Sequence, residues 1–134
     1  MNHMAYFMAA LFALISFGAF ADVWYVDHSA TGTEDGLSWA TAFRTIQPAI
    51  DAAHADGGGE VWVAAGTYDE ARLSPLSDSN SFNTGSLVLK AEVHLYGGFS
   101  GTESNRVERS IEPSLTVIDG SLSRGGLAAT NVIL

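Results

Sequence analysis

Three carboxylates fall close together early in the chain. Asp27 closes a short apolar run, and Glu34 and Asp35 are adjacent in the polar stretch that follows. Oxygen donors converging from one flexible loop are what calcium selects. Asp27, Glu34 and Asp35 are therefore the candidate calcium-holding set, although the regular ligand spacing of a dedicated calcium loop is missing and a solvated acidic loop is the plainer reading. Asp69 and Glu70 are neighbours, and on an extended chain neighbours point to opposite sides. Glycoside hydrolysis needs two carboxyl groups flanking one bond, so this pair does not supply it alone. The histidines His3, His28, His54 and His94 show no i, i+4 pairing and there is no cysteine, which leaves zinc without a ligand set. Gly97-Gly98-Phe99-Ser100-Gly101-Thr102 has neither the lysine of a phosphate-binding loop nor the second glycine of a serine nucleophile elbow. Its glycines predict a tight corner between strands. No residue is assigned a catalytic role, and no cofactor other than calcium is expected.

Trp24, Trp39 and Trp62 can stack on sugar rings if exposed or contribute to packing if buried. Packing is the reading preferred here, with Trp39, just before the helix, pinning the N-terminal cap to the first coil.

The elements that would position these residues are legible from periodicity. Val23-Trp24-Tyr25-Val26 is β-branched and aromatic and predicts a strand; His28 to Ser38 is a loop by composition. From Thr45, a candidate N-cap, Ile46, Ala49, Ile50 and Ala53 follow the i, i+3, i+4, i+7 spacing of an amphipathic helix, with Pro48 in its first turn and Gly57 as its left-handed terminator. Glu60 to Ala64 then alternates as a strand, Val61 and Val63 facing one way and Trp62 the other. After a polar excursion from Asp69 to Thr84, further short strands are predicted at Leu87-Val88-Leu89, Val93 to Tyr96, Thr116-Val117-Ile118 and Asn131 to Leu134. The last run has no following turn, which predicts an open sheet edge, self-association through it and a longer protein of which this is the start.

Of 134 residues, fifteen are acidic and six basic, giving a formal charge of −9, and every one of them follows Ala21. Such a surface repels nucleic acid and anionic lipid, so neither is an expected partner. Met4 to Ala21 carries no charge and ends in Ala19-Phe20-Ala21, the small-x-small pattern of a secretory cleavage site. Cleavage is predicted between Ala21 and Asp22. No Lys or Arg precedes the apolar run, and an uncleaved segment near the lower length limit for spanning a bilayer is the alternative and the only expected membrane contact. The predicted organisation is a signal peptide over 1–21, strand, loop and helix over 22–59, and repeated strands over 60–134.

In order, YVD (Tyr25 to Asp27), DGLSW (Asp35 to Trp39), FRTIQPAIDAA (Phe43 to Ala53), VWVAAGTY (Val61 to Tyr68), LYGGFSGTE (Leu95 to Glu103) and TVIDG (Thr116 to Gly120) resemble the N-terminal region of bacterial right-handed parallel β-helix proteins of the pectin-lyase-like superfamily. The resemblance implies a mostly β fold, the start of a right-handed parallel β-helix, with the helix after Thr45 capping the open end of its core, as repeat arrays require. In lyases of that superfamily, carboxylate-held calcium neutralises a uronate and a basic residue takes a proton; Asp27, Glu34 and Asp35 are the residues that would hold such an ion. Catalytic residues in the superfamily usually lie on later coils. The expected role is thus a scaffold within an exported extracellular or cell-surface protein (the periplasm is the other compartment considered) that contacts polysaccharide or cell-surface components. The alternative is part of a polysaccharide lyase or glycosidase whose active site lies downstream.

Overall fold

The computed structural model describes residues 22–70, 87–112, 115–120 and 132–133. The targeting segment with its Ala21 boundary, most of the Asp69 to Thr84 excursion, and the flanks Asn131 and Leu134 of the last run lie outside them. Among the described residues the protein is mostly sheet with one α-helix and no closed barrel.

β1 (Val23–Val26) is the first described element and α1 (Ile46–Ala55) follows. Ile46, Ala49, Ile50 and Ala53, the four residues of the apolar stripe, are all fully buried. Thr45 has the extended backbone of an N-cap but its side chain makes no capping bond. The helix stops in a Schellman arrangement: the Gly58 amide donates to the Ala53 carbonyl at 2.8 Å and Gly57 to His54 at 3.2 Å. Gly57 takes φ +97°, a conformation that costs a residue with a Cβ far more than glycine.

β2 (Gly59–Ala64) and β3 (Gly66–Tyr68) are separated by Ala65 alone and belong to different sheets. β4 (Val93–Phe99) pairs parallel with β2, and β5 (Thr116–Ile118) pairs parallel with β3. One turn of chain, β2 then β3, therefore lies against the next, β4 then β5. β1 adds a third parallel strand on the other side of β2. The outer edge of β1 is closed by the loop after it: the Tyr25 amide donates to Gly36, Phe43 to Tyr25, and Asp27 to Phe43, each at 2.9 Å. The Tyr25 N–H and C=O, which an edge strand would offer to another chain, are thereby satisfied.

The core lies between α1 and the strands, with Val26, Ile46, Ile50, Val61, Val63, Tyr68 and Ile118 at its centre. Trp24 packs from β1 on this side, stacked on Phe43 with ring centroids 6.3 Å apart. Parallel strands buried on both faces are the norm, and β2 follows it: Val61 and Val63 are buried on one face, Trp62 and Ala64 on the other.

Three expectations are corrected. Leu87 to Lys90 is not a strand; Gln47 on α1 takes up its backbone instead, donating to the Val88 carbonyl and accepting from the Val88 amide, while Lys90 pairs with Asp51 at 2.7 Å. Gly97 and Gly98 are not a corner but part of β4. Trp62 is paired with Tyr96 and Ala64 with Phe99, so two residues of β4 stand opposite the single Val63, a β-bulge. Finally, β6 (Val132–Ile133) pairs antiparallel with β5, whereas continuation of the repeat predicts a parallel partner.

Candidate functional site

The parallel register places three aromatic residues side by side. Tyr25 of β1 lies opposite Trp62 of β2, which lies opposite Tyr96 of β4. All three are on the sheet face away from α1, because their neighbours Trp24, Val61, Val63 and Leu95 face the core. This face is the part of the described molecule where aromatic, cationic and acidic side chains meet.

The bulge brings Phe99 onto it as well. Trp62 and Phe99 stack at 4.7 Å, Trp39 meets Phe99 at 5.7 Å, and Tyr25 meets Trp39 edge-on at 4.8 Å. Trp39 sits in a 3₁₀ turn, Trp39–Thr41, whose start is capped by Ser38. Its indole N–H donates to the Glu103 carbonyl at 2.9 Å. Trp39 thus ties the loop after β1 to the turn after β4 across the outer face. Trp62 is too deeply covered for a ligand to stack on it.

Charge is laid over this aromatic layer. The Glu60 carboxylate accepts from the Trp62 indole at 2.7 Å and from Arg106, which also donates to the Tyr96 hydroxyl at 2.9 Å. Four side chains from β2, β4 and the 3₁₀ turn Arg106–Glu108 form one network. The Arg109 guanidinium lies over the same Tyr96 ring and donates to the Gly97 carbonyl at the bulge, at 3.1 Å. His94, two residues before Tyr96 on this face, is exposed.

The turn carrying these arginines is built by carboxylates. Glu103 accepts from the amides of Ser100, Gly101 and Thr102 at 2.6, 3.1 and 3.0 Å. Burial acts to raise its pKa, but the bonds from the Ser100 and Thr102 amides outweigh it and hold the carboxyl below its usual range. Glu108, fully exposed, is lowered too, chiefly by the Ser104 amide and by Asn105, in a capping box that starts the Arg106–Glu108 turn.

The residues singled out as metal ligands are not brought together. Asp27 accepts from the amide and hydroxyl of Ser29 at 2.9 and 2.6 Å. Glu34 pairs with Arg44 at 2.7 Å. Asp35 accepts from the Leu37 amide at 2.9 Å, and the Thr41 hydroxyl, then that amide, hold its pKa below the ordinary value. Each carboxylate is engaged by its own local donor, and among the described residues no group of three or more His, Asp or Glu side chains is placed to hold a metal ion. Asp22, the predicted first residue after cleavage, precedes β1, and its carbonyl accepts from the Glu60 amide at 2.9 Å.

Sequence reasoning did not single out Arg106 and Arg109. The available signal was their spacing of three next to an aromatic strand end, which identifies a shared face only once the turn is known to be 3₁₀.

Over 75 residues, 56% of this chain, the protein is 44% identical to mannuronan C5-epimerase AlgE1 of Azotobacter vinelandii. It is similarly 42% identical over 76 residues to mannuronan C5-epimerase AlgE3 and 43% identical over 75 residues to AlgE2 of the same organism. The matched stretch covers 5%, 3% and 6% of those three proteins, respectively. No protein-family model matches the chain, and no solved structure matches it.

Proposed function

We propose that this chain is the N-terminal cap and first coils of a right-handed parallel β-helix in an exported protein that modifies an acidic polysaccharide. The observation that carries the reading is the identity of 42–44% to three mannuronan C5-epimerases over more than half of the chain. The stacking of β2 and β3 against β4 and β5, with α1 over the core, supports the coil. Crossovers between parallel strands of one sheet are right-handed in nearly all proteins, which supports the hand. The segment's own part is structural: it seals the start of the stack and presents the aromatic outer face, while the conversion of the sugar belongs to later coils. Among enzymes, the similarity favours an epimerase over the lyase or glycosidase suggested by sequence resemblance. Export rests on the uncharged run ending at Ala21, and an extracellular or cell-surface location follows from it.

The test is to incubate the full-length secreted product with mannuronan, and separately with a neutral glucan, and to follow sugar composition by proton NMR. A changed ratio of C5 epimers in mannuronan alone is expected. If the product neither alters nor binds any polyuronate, the reading falls.

A further inference from the structure

Arg106 and Arg109 converge on one ring in a chain whose net charge is −9. Their guanidinium carbons lie 4.7 and 5.7 Å from the Tyr96 centroid. Arg106 opens the 3₁₀ turn Arg106–Glu108 and Arg109 is the extended residue that closes it, so one short turn brings both to the ring. The two are differently engaged. Arg106 is neutralised by Glu60, as Arg44 is by Glu34 and Lys90 by Asp51. Arg109 is the one basic side chain among the described residues without a carboxylate partner; its contacts are the Gly97 carbonyl and the Tyr96 face.

We propose that Arg109, with Arg106 behind it and the Tyr96 ring beside it, binds the carboxylate of a uronate unit in an acidic polysaccharide. The proposal rests on the reading that such a polysaccharide is what the protein acts on, and it deepens that reading by naming the contact. A surface of this charge repels a polyanion, so a contact with one needs a cation that no carboxylate already neutralises. A guanidinium has five N–H donors in a planar fork, so one bond to Gly97 leaves donors for a bidentate grip on a carboxylate. The fork is already held in place by the ring and the bulge carbonyl, which reduces the entropy lost on binding. Arg109 is partly exposed and therefore accessible. Val107 and Ile111, two residues to either side of Arg109, are 90% and 85% exposed and offer apolar surface on the same segment. A neutral sugar gains none of the ionic contact.

The experiment titrates the full chain with oligomannuronate, oligogalacturonate and a neutral oligomannose of equal length, by calorimetry, for the wild type and for Arg109→Gln, Arg109→Lys and Arg44→Gln. The wild type is expected to bind acidic oligomers and not the neutral one. Arg109→Gln should weaken that binding tenfold or more, Arg109→Lys should weaken it less, and Arg44→Gln should leave it unchanged. Preference between the two uronates identifies the polymer. Wild-type binding that survives intact in Arg109→Gln overturns the site and leaves the functional reading standing. Absence of wild-type binding to either acidic oligomer overturns both. Should Arg109→Gln fail to fold, Arg109→Lys decides: a reduced affinity at an unchanged melting temperature supports the site, and an unchanged affinity overturns it.

Discussion

The indole of Trp62 lies flat on the ring of Phe99, with centroids 4.7 Å apart and planes 8° from parallel. Strand alternation alone does not produce this pairing. Trp62 is in register with Tyr96, and Phe99, three residues on, would face the core if β4 alternated without interruption. The extra residue at Gly97-Gly98 reverses the phase, so that Tyr96 in the middle of β4 and Phe99 at its end both present rings to the outer face.

Gly98 is the residue on which that reversal depends. It has φ +87°, and a Cβ there would overlap the Ser110 carbonyl oxygen. Gly98→Ala should lower stability by about 2 kcal/mol or more, combining left-handed strain with the displaced 110 segment. Urea unfolding followed by tryptophan fluorescence tests this, and a midpoint equal to wild type would show that the bulge is not fixed by Gly98.

The cap helix is expected to be part of one cooperative unit with the strands. Ile50 is fully buried in the core. Ile50→Ala should cost about 2–5 kcal/mol, read as a lower urea midpoint in a single transition. Two separated transitions would mean that α1 unfolds independently of the sheet.

Acid should loosen the turn that follows β4. The folded-state pKa of Glu103 is depressed below its ordinary value of 4.5. A depressed carboxyl contributes stability that is fully present above the unfolded pKa and is lost as pH falls through the folded one. Between pH 7 and about 5 stability should therefore hold, and below about 4.5 it should decline. In Glu103→Gln the decline should be smaller, and because Trp39 bonds to the Glu103 carbonyl the change should be visible in fluorescence. Identical acid profiles for wild type and Glu103→Gln would exclude this carboxylate as the cause.

Calcium is expected to leave the melting temperature unchanged. To share one ion, Asp27, Glu34 and Asp35 would have to leave Ser29, Arg44 and Leu37. An ion that bound the native state alone would raise the melting temperature by mass action. A rise in millimolar calcium that is reversed by EDTA and abolished in Asp27→Asn would restore the metal site.

Export predicts a defined N-terminus. Mass spectrometry of secreted protein should find Asp22 first. Recovery of an intact Met1 in the membrane fraction would instead support an uncleaved anchor.

The helix, β1 and the core stripe of β2 were readable because they depend on local periodicity: Ile46, Ala49, Ile50 and Ala53 repeat every turn whatever surrounds them. Leu87 to Leu89 was misread because a short apolar run does not say whether a strand or a side chain will satisfy its backbone, and here Gln47 does so from 41 residues away. The outer face was missed for a related reason. That Tyr25, Trp62 and Tyr96 lie in a row depends on the register between strands 37 and 34 residues apart, and that Phe99 joins them depends on a bulge. The glycines at 97 and 98 were noticed, but they signal a departure from regularity without specifying which one.

The closure of β1 by Gly36 and Phe43 gives the stack a polarity. One edge of the β1-β2-β4 sheet is covered by backbone bonds from the loop, and β4 forms the other edge. A second molecule meeting this one finds the Tyr25 backbone groups of β1 already bonded to Gly36 and Phe43. The loop holding Glu34 and Asp35, in which the sequence suggests a place for an ion, thus has a second consequence: it covers one edge of the sheet.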